Sequence, residues 1–464
     1  MLITGEVMAA ATGGRLMSGD PGRPVTGFSI DSRTLASGDL FFAIKGERFD
    51  GHDFVDAALA KGAAGIVVSA DVKARAAVDR GVVALLVTDT IGALQALARY
   101  VRRHAGARVV AITGSAGKTT TKEIAAEFLS VRYRVFRNQG NLNNHIGLPL
   151  SLLELRHEPE AAVVELGMSH AGEISALVGV AEPDVRVWTN VGDAHLGFFA
   201  SADDLARAKA EILERADAST VLVANADDRR VMAHARRFAG RLVTFGFGGG
   251  DVRADEIEDQ GLDGTRARVR TPAGEATIAT PLAGPGHLAN VLAAAAVALE
   301  FDVPLPAVVE RAARLRPAPH RGEVLRLAGG VSVVDDSYNA SPSALATVLK
   351  LVERARGSAR KMAFLGEMLE LGEHALALHE ASGASAASAG LSLLVAIGGA
   401  PARALANAAV AGGMDAASVR HVATSAEAAD LVPSLVRPGD LVLVKGSRGI
   451  ATERVVARLM EEFG

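Results

Sequence analysis

The residues best suited to chemistry lie in one stretch, residues 111–122, which has the sequence AITGSAGKTTTK. The cation of Lys118 can pair with the β- and γ-phosphates of a nucleotide, and the hydroxyl of Thr119 can bind Mg²⁺. The glycines before them allow a tight turn whose backbone N–H groups point at phosphate oxygens. We therefore predict an ATP site in this stretch, formed by Gly114, Ser115, Ala116, Gly117, Lys118, Thr119 and Thr120.

The flanking residues must place this loop. Residues 109–112 are an apolar run that predicts a buried strand, and residues 119–130 have the composition of a helix. The match is to the short G-x-x-G-K-T form of the phosphate loop, because Ile112 stands where the longer consensus has glycine. The alternative is a tight turn between strand and helix with no binding role, and the lysine and threonine after the glycines argue against it.

Length and composition limit the class of protein. The chain has 464 residues, 49% of them hydrophobic and 22% charged, and a formal net charge of −4. No run of lysine or arginine suggests binding to nucleic acid, and the lack of cysteine excludes disulfides and thiolate chemistry. Residues 1–14 lack the positive charge of a signal peptide, and the longest apolar run, residues 291–299, is too short to cross a bilayer. We expect a cytoplasmic monomer with no membrane insertion.

The order of apolar runs predicts an α/β protein of three domains, the number that the length favours. Residues 1–88 form a small N-terminal α/β domain, with a helix at 54–61. Residues 89–316 begin with a helix at 91–104 and alternate strands and helices around the phosphate loop, which predicts a doubly wound parallel sheet. Two prolines near residue 317 break the pattern, and residues 317–464 form a second, Rossmann-like doubly wound domain.

The predicted strands share a short apolar run bounded by polar residues or glycine. They are residues 28–30, 40–44, 65–68, 82–87, 109–112, 161–166, 185–189, 221–224, 241–245, 331–334, 362–365, 393–397 and 441–444. Residues 251–280 alternate and contain several glycines, which predicts a hairpin.

Further candidate residues follow the predicted strands of the central domain. Glu165 lies near the end of one strand, where a carboxylate suits Mg²⁺. His195 follows the next strand, and Lys209 lies in a predicted helix. His287 and Asn290 share a face if one helix includes both. Taken singly, a helix-capping glutamate, a structural histidine and an exposed lysine are the more common roles of such residues.

The order of several stretches along the whole chain resembles the Mur ligase family. In the central domain they are residues 140–149 (GNLNNHIGLP), 165–173 (ELGMSHAGE), 189–195 (TNVGDAH) and 208–213 (AKAEIL). Stretches similar to the family members that add a dipeptide are residues 31–33 (DSR), 38–42 (GDLFF), 50–52 (DGH), 335–340 (DDSYNA), 365–372 (LGEMLELG) and 444–448 (VKGSR).

The resemblance implies an ATP-dependent, ADP-forming amide ligase in peptidoglycan precursor synthesis. Its partners would be UDP-N-acetylmuramoyl-tripeptide, bound by the N-terminal domain, and D-alanyl-D-alanine, bound by a C-terminal domain that closes over ATP. ATP would phosphorylate the terminal carboxylate of the tripeptide, and the amine of the dipeptide would then displace phosphate. A carboxylate cannot expel oxide, so phosphorylation supplies the leaving group, and the protein supplies positioning and charge neutralisation.

The resemblance also assigns residue roles. Thr119 and Glu165 would hold one Mg²⁺, and His195 and a carbamylated Lys209 would hold a second. The residues expected to act in catalysis are Lys118, His195, Lys209 and Arg321. The residues expected to bind the nucleotide outside the phosphate loop are His287 and Asn290 at the adenosine, Asp336 at the ribose, Tyr338 at the base and Arg321 at the γ-phosphate. The residues expected to bind the other substrates are Ser29, Ser32, Arg33, Asn141, Asn143, Asn339, Lys445 and Arg448.

Four positions depart from the family pattern. Ser169 and Ser341 stand where asparagine is usual, and Asn138 stands where threonine is usual. These three keep a polar side chain. His320 stands where glycine is usual, so a flexible residue is lost beside Arg321.

Other functions stay open. A sibling ligase that adds another amino acid, or a folylpolyglutamate-type ligase, would use the same scaffold, although residues 31–52 and 365–372 argue against both. A P-loop kinase or an ATP-sensing binding protein would be of a different class. The third residue of the tripeptide, lysine or a diaminopimelate, is not set by the sequence.

Overall fold

The structure is a computed structural model, and it describes residues 1–70, 73, 81–194 and 196–464. Its strands form three sheets of five, nine and six strands, with helices packed on them. The predicted α/β class and its three sheet-bearing regions are confirmed.

The helices of the described residues are α1 Gly5–Thr12, α2 Val55–Ala60, α3 Thr90–His104, α4 Lys118–Leu129, α5 Gly147–Leu152, α6 Glu173–Ala181, α7 Ala202–Ala210, α8 Arg229–Ala235, α9 Pro285–Glu300, α10 Leu305–Ala312, α11 Pro342–Arg354, α12 Ala375–Ser388, α13 Ala400–Ala411, α14 Ser425–Asp430, α15 Val432–Leu435 and α16 Glu453–Phe463.

The strands are β1 Arg15–Ser18, β2 Gly27–Ser29, β3 Asp39–Phe42, β4 Gly65–Val68, β5 Val83–Leu86, β6 Arg108–Thr113, β7 Val135–Arg137, β8 Ala161–Glu165, β9 Val185–Trp188, β10 Val221–Asn225, β11 Arg241–Gly246, β12 Val252–Asp259, β13 Thr265–Thr271, β14 Gly274–Thr280, β15 Glu323–Arg326, β16 Ser332–Asp336, β17 Arg360–Gly366, β18 Leu393–Ile397, β19 Val419–Val422 and β20 Asp440–Lys445.

The first sheet has the strand order β1-β5-β4-β3-β2, in which β1 runs antiparallel to β5 and the other neighbours are parallel. Its four predicted strands are confirmed. The sequence prediction missed β1 and α1. Helix α1 begins at an N-cap, Thr4, whose hydroxyl accepts from Val7 N at 3.3 Å, and ends at Gly13 in the left-handed region.

The second sheet has the order β14-β13-β12-β11-β10-β9-β6-β8-β7. Strands β6 to β12 are parallel, as predicted for a doubly wound sheet. Strand β6 lies between β8 and β9, so the phosphate loop leaves the sheet between the ends of its two neighbours. Because carboxyl ends of parallel strands meet at one edge, the residues that follow β6, β8 and β9 are brought together.

The predicted hairpin in residues 251–280 is a three-strand antiparallel extension, β12-β13-β14, of the second sheet.

The third sheet has the order β15-β16-β20-β17-β18-β19, parallel except for β15. Its four predicted strands are confirmed, and the missed strands β15 and β19 are its two edges.

One hydrophobic cluster joins the first two sheet regions, because Ile3 and Met8 pack in the same core as Leu94 and Leu97 of α3. The core is therefore continuous across residue 88, and the domain boundaries after residues 88 and 316 stay predictions. No helix of the described residues is long and apolar enough to cross a membrane.

Candidate active site

The phosphate loop joins β6 directly to α4, as predicted. Gly114 and Gly117 have φ of 149° and 82°, which L side chains rarely adopt. A Cβ at Gly117 would also overlap the Asn290 side chain. Glycine is needed at this turn both for its backbone conformation and for the close approach of α9.

Lys118 bends back over its own loop. Its Nζ donates to Gly114 O at 2.8 Å, a contact that phosphate oxygens could replace. Burial lowers the pKa of the Lys118 amine, the nearby Glu165 carboxylate opposes that shift, and the Arg321 cation adds to it. Arg321 therefore lies close enough to the loop to act on the same charges.

Glu165 ends β8 opposite the start of α4. Its two carboxylate oxygens accept from Thr119 Oγ1 at 2.6 Å and from Asn143 Nδ2 at 2.8 Å. Burial would raise the pKa of Glu165, but Lys118, Thr119, Arg321 and Asn143 together hold it below its usual value. The carboxyl is thus held as an anion beside a hydroxyl.

This pair fits a hard cation. Mg²⁺ takes oxygen ligands and is commonly bound by one or two carboxylates together with substrate phosphates. Within the described ranges, no group of three or more histidine, aspartate or glutamate side chains could form a protein-only metal site. The residues present therefore suit Mg²⁺ that arrives with a nucleotide.

Asn190, just after β9, holds the phosphate loop and was not singled out from the sequence. Its Oδ1 accepts from Ala116 N at 2.9 Å, and its Nδ2 donates to Ala116 O at 3.0 Å. Its carbonyl accepts from Ser115 N at 3.0 Å. The available signal was a polar residue at the carboxyl end of a central strand.

Lys209 lies on α7 and is only 1% exposed. Burial, with Lys118 nearby, lowers the pKa of its amine well below the usual value. In the part of the chain that the structure describes, no carboxylate forms an ion pair with Lys209. The alternative of an exposed surface lysine is therefore wrong, and the amine lies near the phosphate loop. His195, the other predicted ligand of the second metal, lies outside the described residues.

A cleft of about 440 Å³ separates the phosphate loop from the third sheet region. Helix α9 contains both His287 and Asn290, which confirms their shared face, and both line the cleft. Asn290 Oδ1 accepts from Thr121 Oγ1 at 3.2 Å. The predicted nucleotide-binding residues that line this cleft are Ser115, Ala116, Gly117, Thr120, His287, Asn290, Arg321, Asp336 and Tyr338.

The opposite wall of the cleft belongs to the C-terminal region. Lys445, at the end of β20, is 3% exposed, and its Nζ donates to Asp336 Oδ2 at 2.5 Å and to Asn339 O at 2.9 Å. Arg321 Cζ lies over the Tyr338 ring, and Arg448 Cζ lies 5.7 Å from the same ring centroid. The structure thus gathers all six of these predicted residues at one place.

His320 takes the left-handed conformation, with φ of 63°, that suits glycine at this position. Its Nδ1 lies 2.7 Å from Asp335 Oδ2, a carboxylate that is almost fully buried. Its carbonyl accepts from Tyr338 N at 3.1 Å. The contact with Asp335 offsets the cost of the strained backbone at His320. The hydrogen bond from Tyr338 N connects His320, which directly precedes Arg321, to the loop that carries Tyr338.

The predicted residues of the first sheet region do not line this cleft. Ser29 and Ser32 are buried, and the Ser29 hydroxyl donates to Asp31 O at 3.0 Å. Arg33 is 86% exposed and pairs with Asp31, which lowers the pKa of that carboxyl to about 2. Asn141 is exposed at the far end of the loop that carries Asn143. These side chains would need a long substrate to connect them to the phosphate loop.

Comparisons with known proteins identify the family. Three family models match in order: "Mur ligase family, catalytic domain" at residues 24–116, "Mur ligase middle domain" at 112–298 and "Mur ligase, glutamate ligase domain" at 320–448. The UDP-N-acetylmuramoyl-tripeptide–D-alanyl-D-alanine ligase of Bacillus subtilis is 33% identical, over 94% of this chain and 93% of that protein. The enzyme of the same name from Escherichia coli is 35% identical, over 93% of both.

Solved structures agree. MurF from Acinetobacter baumannii superimposes with a TM-score of 0.88 and 33% identity, over 99% of each chain. MurF from Thermotoga maritima in complex with ADP gives a TM-score of 0.82 and 31% identity, over 94% of this chain and 98% of that one. The chain belongs to the Mur ligase family and is an ATP-dependent ligase that forms amide bonds.

Proposed function

We propose that this chain joins D-alanyl-D-alanine to the terminal carboxylate of UDP-N-acetylmuramoyl-tripeptide, with conversion of ATP to ADP and phosphate. The observation that carries the proposal is one cleft in which Ser115, Gly117 and Thr120 of the phosphate loop belong to one wall, and Arg321, Tyr338 and Lys445 belong to the other. Lys118 and the Thr119–Glu165 pair lie at the end of that same loop. The names and near-complete coverage of the relatives support these two substrates.

The reaction has two steps. An oxygen of the tripeptide carboxylate attacks the γ-phosphorus of ATP, the bond to the β-phosphate oxygen breaks, and ADP leaves. The free amine of the dipeptide then attacks the acyl carbon, loses a proton and expels phosphate. Lys118 and Arg321 neutralise the charge that builds on the transferred group, and the backbone N–H groups of the phosphate loop orient it.

Mg²⁺, when bound with the nucleotide, would neutralise phosphate charge, and Thr119 and Glu165 would hold it. A second ion would be held by His195 and a carbamate on Lys209. The carbamate forms when Nζ of the neutral amine bonds to the carbon of CO₂ and releases a proton. Burial of Lys209 without a carboxylate partner among the described residues supports this modification, because burial favours the neutral amine that reacts.

The cleft between α9 and the C-terminal region takes the adenosine. His287 and Asn290 face it from α9, Asp336 faces the ribose, and Tyr338 faces the base. Ser29, Ser32 and Arg33 bind the UDP end of the tripeptide substrate, and Asn141 and Asn143 bind its peptide. Asn339, Lys445 and Arg448 contact the incoming dipeptide. A cytoplasmic location, a monomeric state and the domain limits 1–88, 89–316 and 317–464 stay predictions.

The test is a ligation assay with ATP, Mg²⁺, D-alanyl-D-alanine and a panel of UDP-muramoyl peptides that end in lysine or a diaminopimelate, with products read by mass spectrometry. We expect one ligated pentapeptide product, and phosphate release that requires both the peptide and the dipeptide. Phosphorylated product without the dipeptide would identify a kinase instead. Product with a single amino acid in place of the dipeptide would identify a sibling ligase.

Lys118→Ala tests whether the phosphate loop is the catalytic site. Removal of one cationic contact at the transferred phosphoryl should lower turnover by roughly 10²-fold or more, with the fold retained. Lys350→Ala is the control, since Lys350 is exposed on α11. Near wild-type turnover of Lys118→Ala would mean that this loop is not the catalytic site.

A further inference from the structure

A second cleft, of about 640 Å³, lies beside the start of α4 and next to the cleft proposed for adenosine. Among the described residues, the two clefts share only Arg321 and Tyr338, whose side chains stack on each other. Thr119 and Thr120 are neighbours on α4, but Thr120 lines the adenosine cleft and Thr119 lines the second cleft. The start of α4 and the Arg321–Tyr338 stack therefore separate the two clefts.

Most of the charged side chains that line the second cleft are cations. The cations are Lys122, Arg137, Arg314, Arg316 and Arg321, and the carboxylates are Glu123 and Glu127. Both carboxylates are already paired, because Arg137 Nη1 lies 3.0 Å from Glu123 and 3.2 Å from Glu127. Within the part of the chain that the structure describes, Arg316 and Arg321 pair with no carboxylate. A cleft with an excess of one charge concentrates ligands of the opposite charge, so the second cleft suits an anion.

His320 adds a different kind of group to the second cleft. Its side chain is 40% exposed and lines the cleft, and its Nδ1 lies 2.7 Å from Asp335 Oδ2. That contact fixes the orientation of the ring, and Nε2 has no hydrogen-bond partner among the described residues. Nε2 can accept from a phosphate hydroxyl or, when protonated, donate to a phosphate oxygen. The chain departs from the family pattern at this position, where glycine would offer no such group.

We propose that the second cleft is a phosphate subsite, in which Arg316 and His320 receive the phosphate that ligation releases. The inference rests on the proposed function, because that phosphate is its product. The transferred phosphoryl group would lie at Thr119 and Arg321, which both line the second cleft. ADP fills the adenosine cleft when the bond between phosphate and the acyl carbon breaks. The second cleft is then the open route on the other side of Arg321.

The other large substrate approaches the second sheet from its opposite face. Ile3 of the first sheet region packs in the same cluster as Val109 of β6, whereas Ile124 of α4 packs in the cluster of Val110. Successive residues of a strand point to opposite faces of its sheet, so the first sheet region and α4 lie on opposite faces. A tripeptide substrate held by the first sheet region therefore leaves the second cleft free.

The segment that forms one wall of the second cleft is held at both of its ends. Leu315 is buried in the cluster that contains α4, and the His320 carbonyl accepts from Tyr338 N at 3.1 Å. Between these ends, Pro317 and Pro319 fix the backbone φ angles. The cationic groups of this segment are thus already in place before an anion binds, which lowers the entropic cost of binding.

The experiment titrates inorganic phosphate, by calorimetry, into enzyme saturated with Mg²⁺ and β,γ-methylene-ATP. This analogue occupies the γ-phosphate position, so added phosphate must bind elsewhere. Arg316→Ala removes an exposed side chain that has no ion-pair partner. His320→Asn keeps an amide that can donate to Asp335 and tolerates the left-handed backbone, but it lacks Nε2. The matched controls are Arg237→Ala and His157→Gln, two exposed positions that do not line the cleft.

We expect wild type to bind one phosphate under these conditions. The dissociation constant should rise roughly tenfold in Arg316→Ala and roughly threefold in His320→Asn, because a charge-assisted hydrogen bond is stronger than a neutral one. Both controls should stay within about twofold of wild type, the usual effect of an exposed substitution. No saturable phosphate binding to wild type, or wild-type affinity in Arg316→Ala, would overturn the proposal.

Product inhibition connects the subsite to the reaction. The phosphate concentration that halves the ligation rate should be roughly tenfold higher in Arg316→Ala than in wild type, and unchanged in Arg237→Ala. Equal inhibition of wild type and Arg316→Ala would overturn the role of the cleft as the route for released phosphate. If wild type formed no ligated product, the proposed function would fail, and the calorimetric titration would still test the subsite.

Discussion

The guanidinium of Arg321 lies over the ring of Tyr338, with Cζ 4.0 Å from the ring centroid. This cation–π contact places the charge between the nucleotide cleft and the phosphate loop, where it also acts on Lys118 and Glu165. Arg321 therefore already faces the charged residues of the phosphate loop, as its proposed role at the γ-phosphate requires.

Arg321→Ala should lower turnover by about 10²-fold and leave ATP affinity within a few-fold of wild type, because the lost charge acts mainly on the transition state. Turnover and nucleotide titration measure the two effects separately. Arg237→Ala is the control, since Arg237 is exposed just after α8. An equal loss of turnover and of ATP affinity would contradict the proposal that Arg321 stabilises the charge on the transferred phosphoryl group.

Lys209→Ala should lose most activity and recover part of it when a short-chain carboxylic acid is added. The variant leaves a buried space where the proposed carbamate stood, and a small carboxylate can supply the missing oxygen ligands. Turnover with and without acetate is the measurement. Lys350→Ala, at an exposed position on α11, should show neither loss nor rescue. Full activity of Lys209→Ala without any addition would refute the carbamate.

His320→Ala should be less stable than His320→Gly. Both variants lose the partner of the buried Asp335 carboxylate, which costs about 1–3 kcal/mol, but only alanine keeps the left-handed strain. Urea unfolding measures both. Asp302→Gly is the control, because Asp302 has φ of 55° and is exposed, so glycine there should be neutral or stabilising. Equal stability of the two His320 variants would mean that the backbone at this position is not strained.

Folding stability should fall in acid partly through His379. Burial lowers the pKa of His379, so the unfolded chain binds a proton more readily and stability is lost as pH falls through the unfolded value of about 6.5. A proton on Nε2 would also face the N–H of Met368. His379→Gln should lose about 1 kcal/mol less than wild type between pH 6.5 and 5.5, measured by urea unfolding. His157→Gln, at an exposed position, should follow wild type, and identical pH profiles for His379→Gln and wild type would contradict the prediction.

The phosphate loop and the strands that hold it could be predicted from the sequence because they depend on local properties. Apolar runs such as residues 161–166 and 393–397 are typical of buried strands, and a glycine-lysine-threonine turn directly after a strand is typical of a phosphate loop. The same local logic failed for β1, β7, β15 and β19. These strands are short, and neighbouring strands rather than their own composition set their pairing.

The assembly of the site was decided by tertiary structure. Nothing in the local sequence around Lys209 sets its burial, since helix α7 alone would leave it exposed, and only packing near Lys118 removes it from water. Asn190 meets the phosphate loop because β6 and β9 end at one edge of the second sheet, and Lys445 meets Asp336 because β16 and β20 end at one edge of the third.

The sequence by itself determined the central strands, the nucleotide loop and the family, since each depends on residue type and order. Only the tertiary structure decided that the backbone of Gly197 contacts that of Gly372, 175 residues further along the chain, because such a contact forms only when the regions that carry the two glycines are packed together.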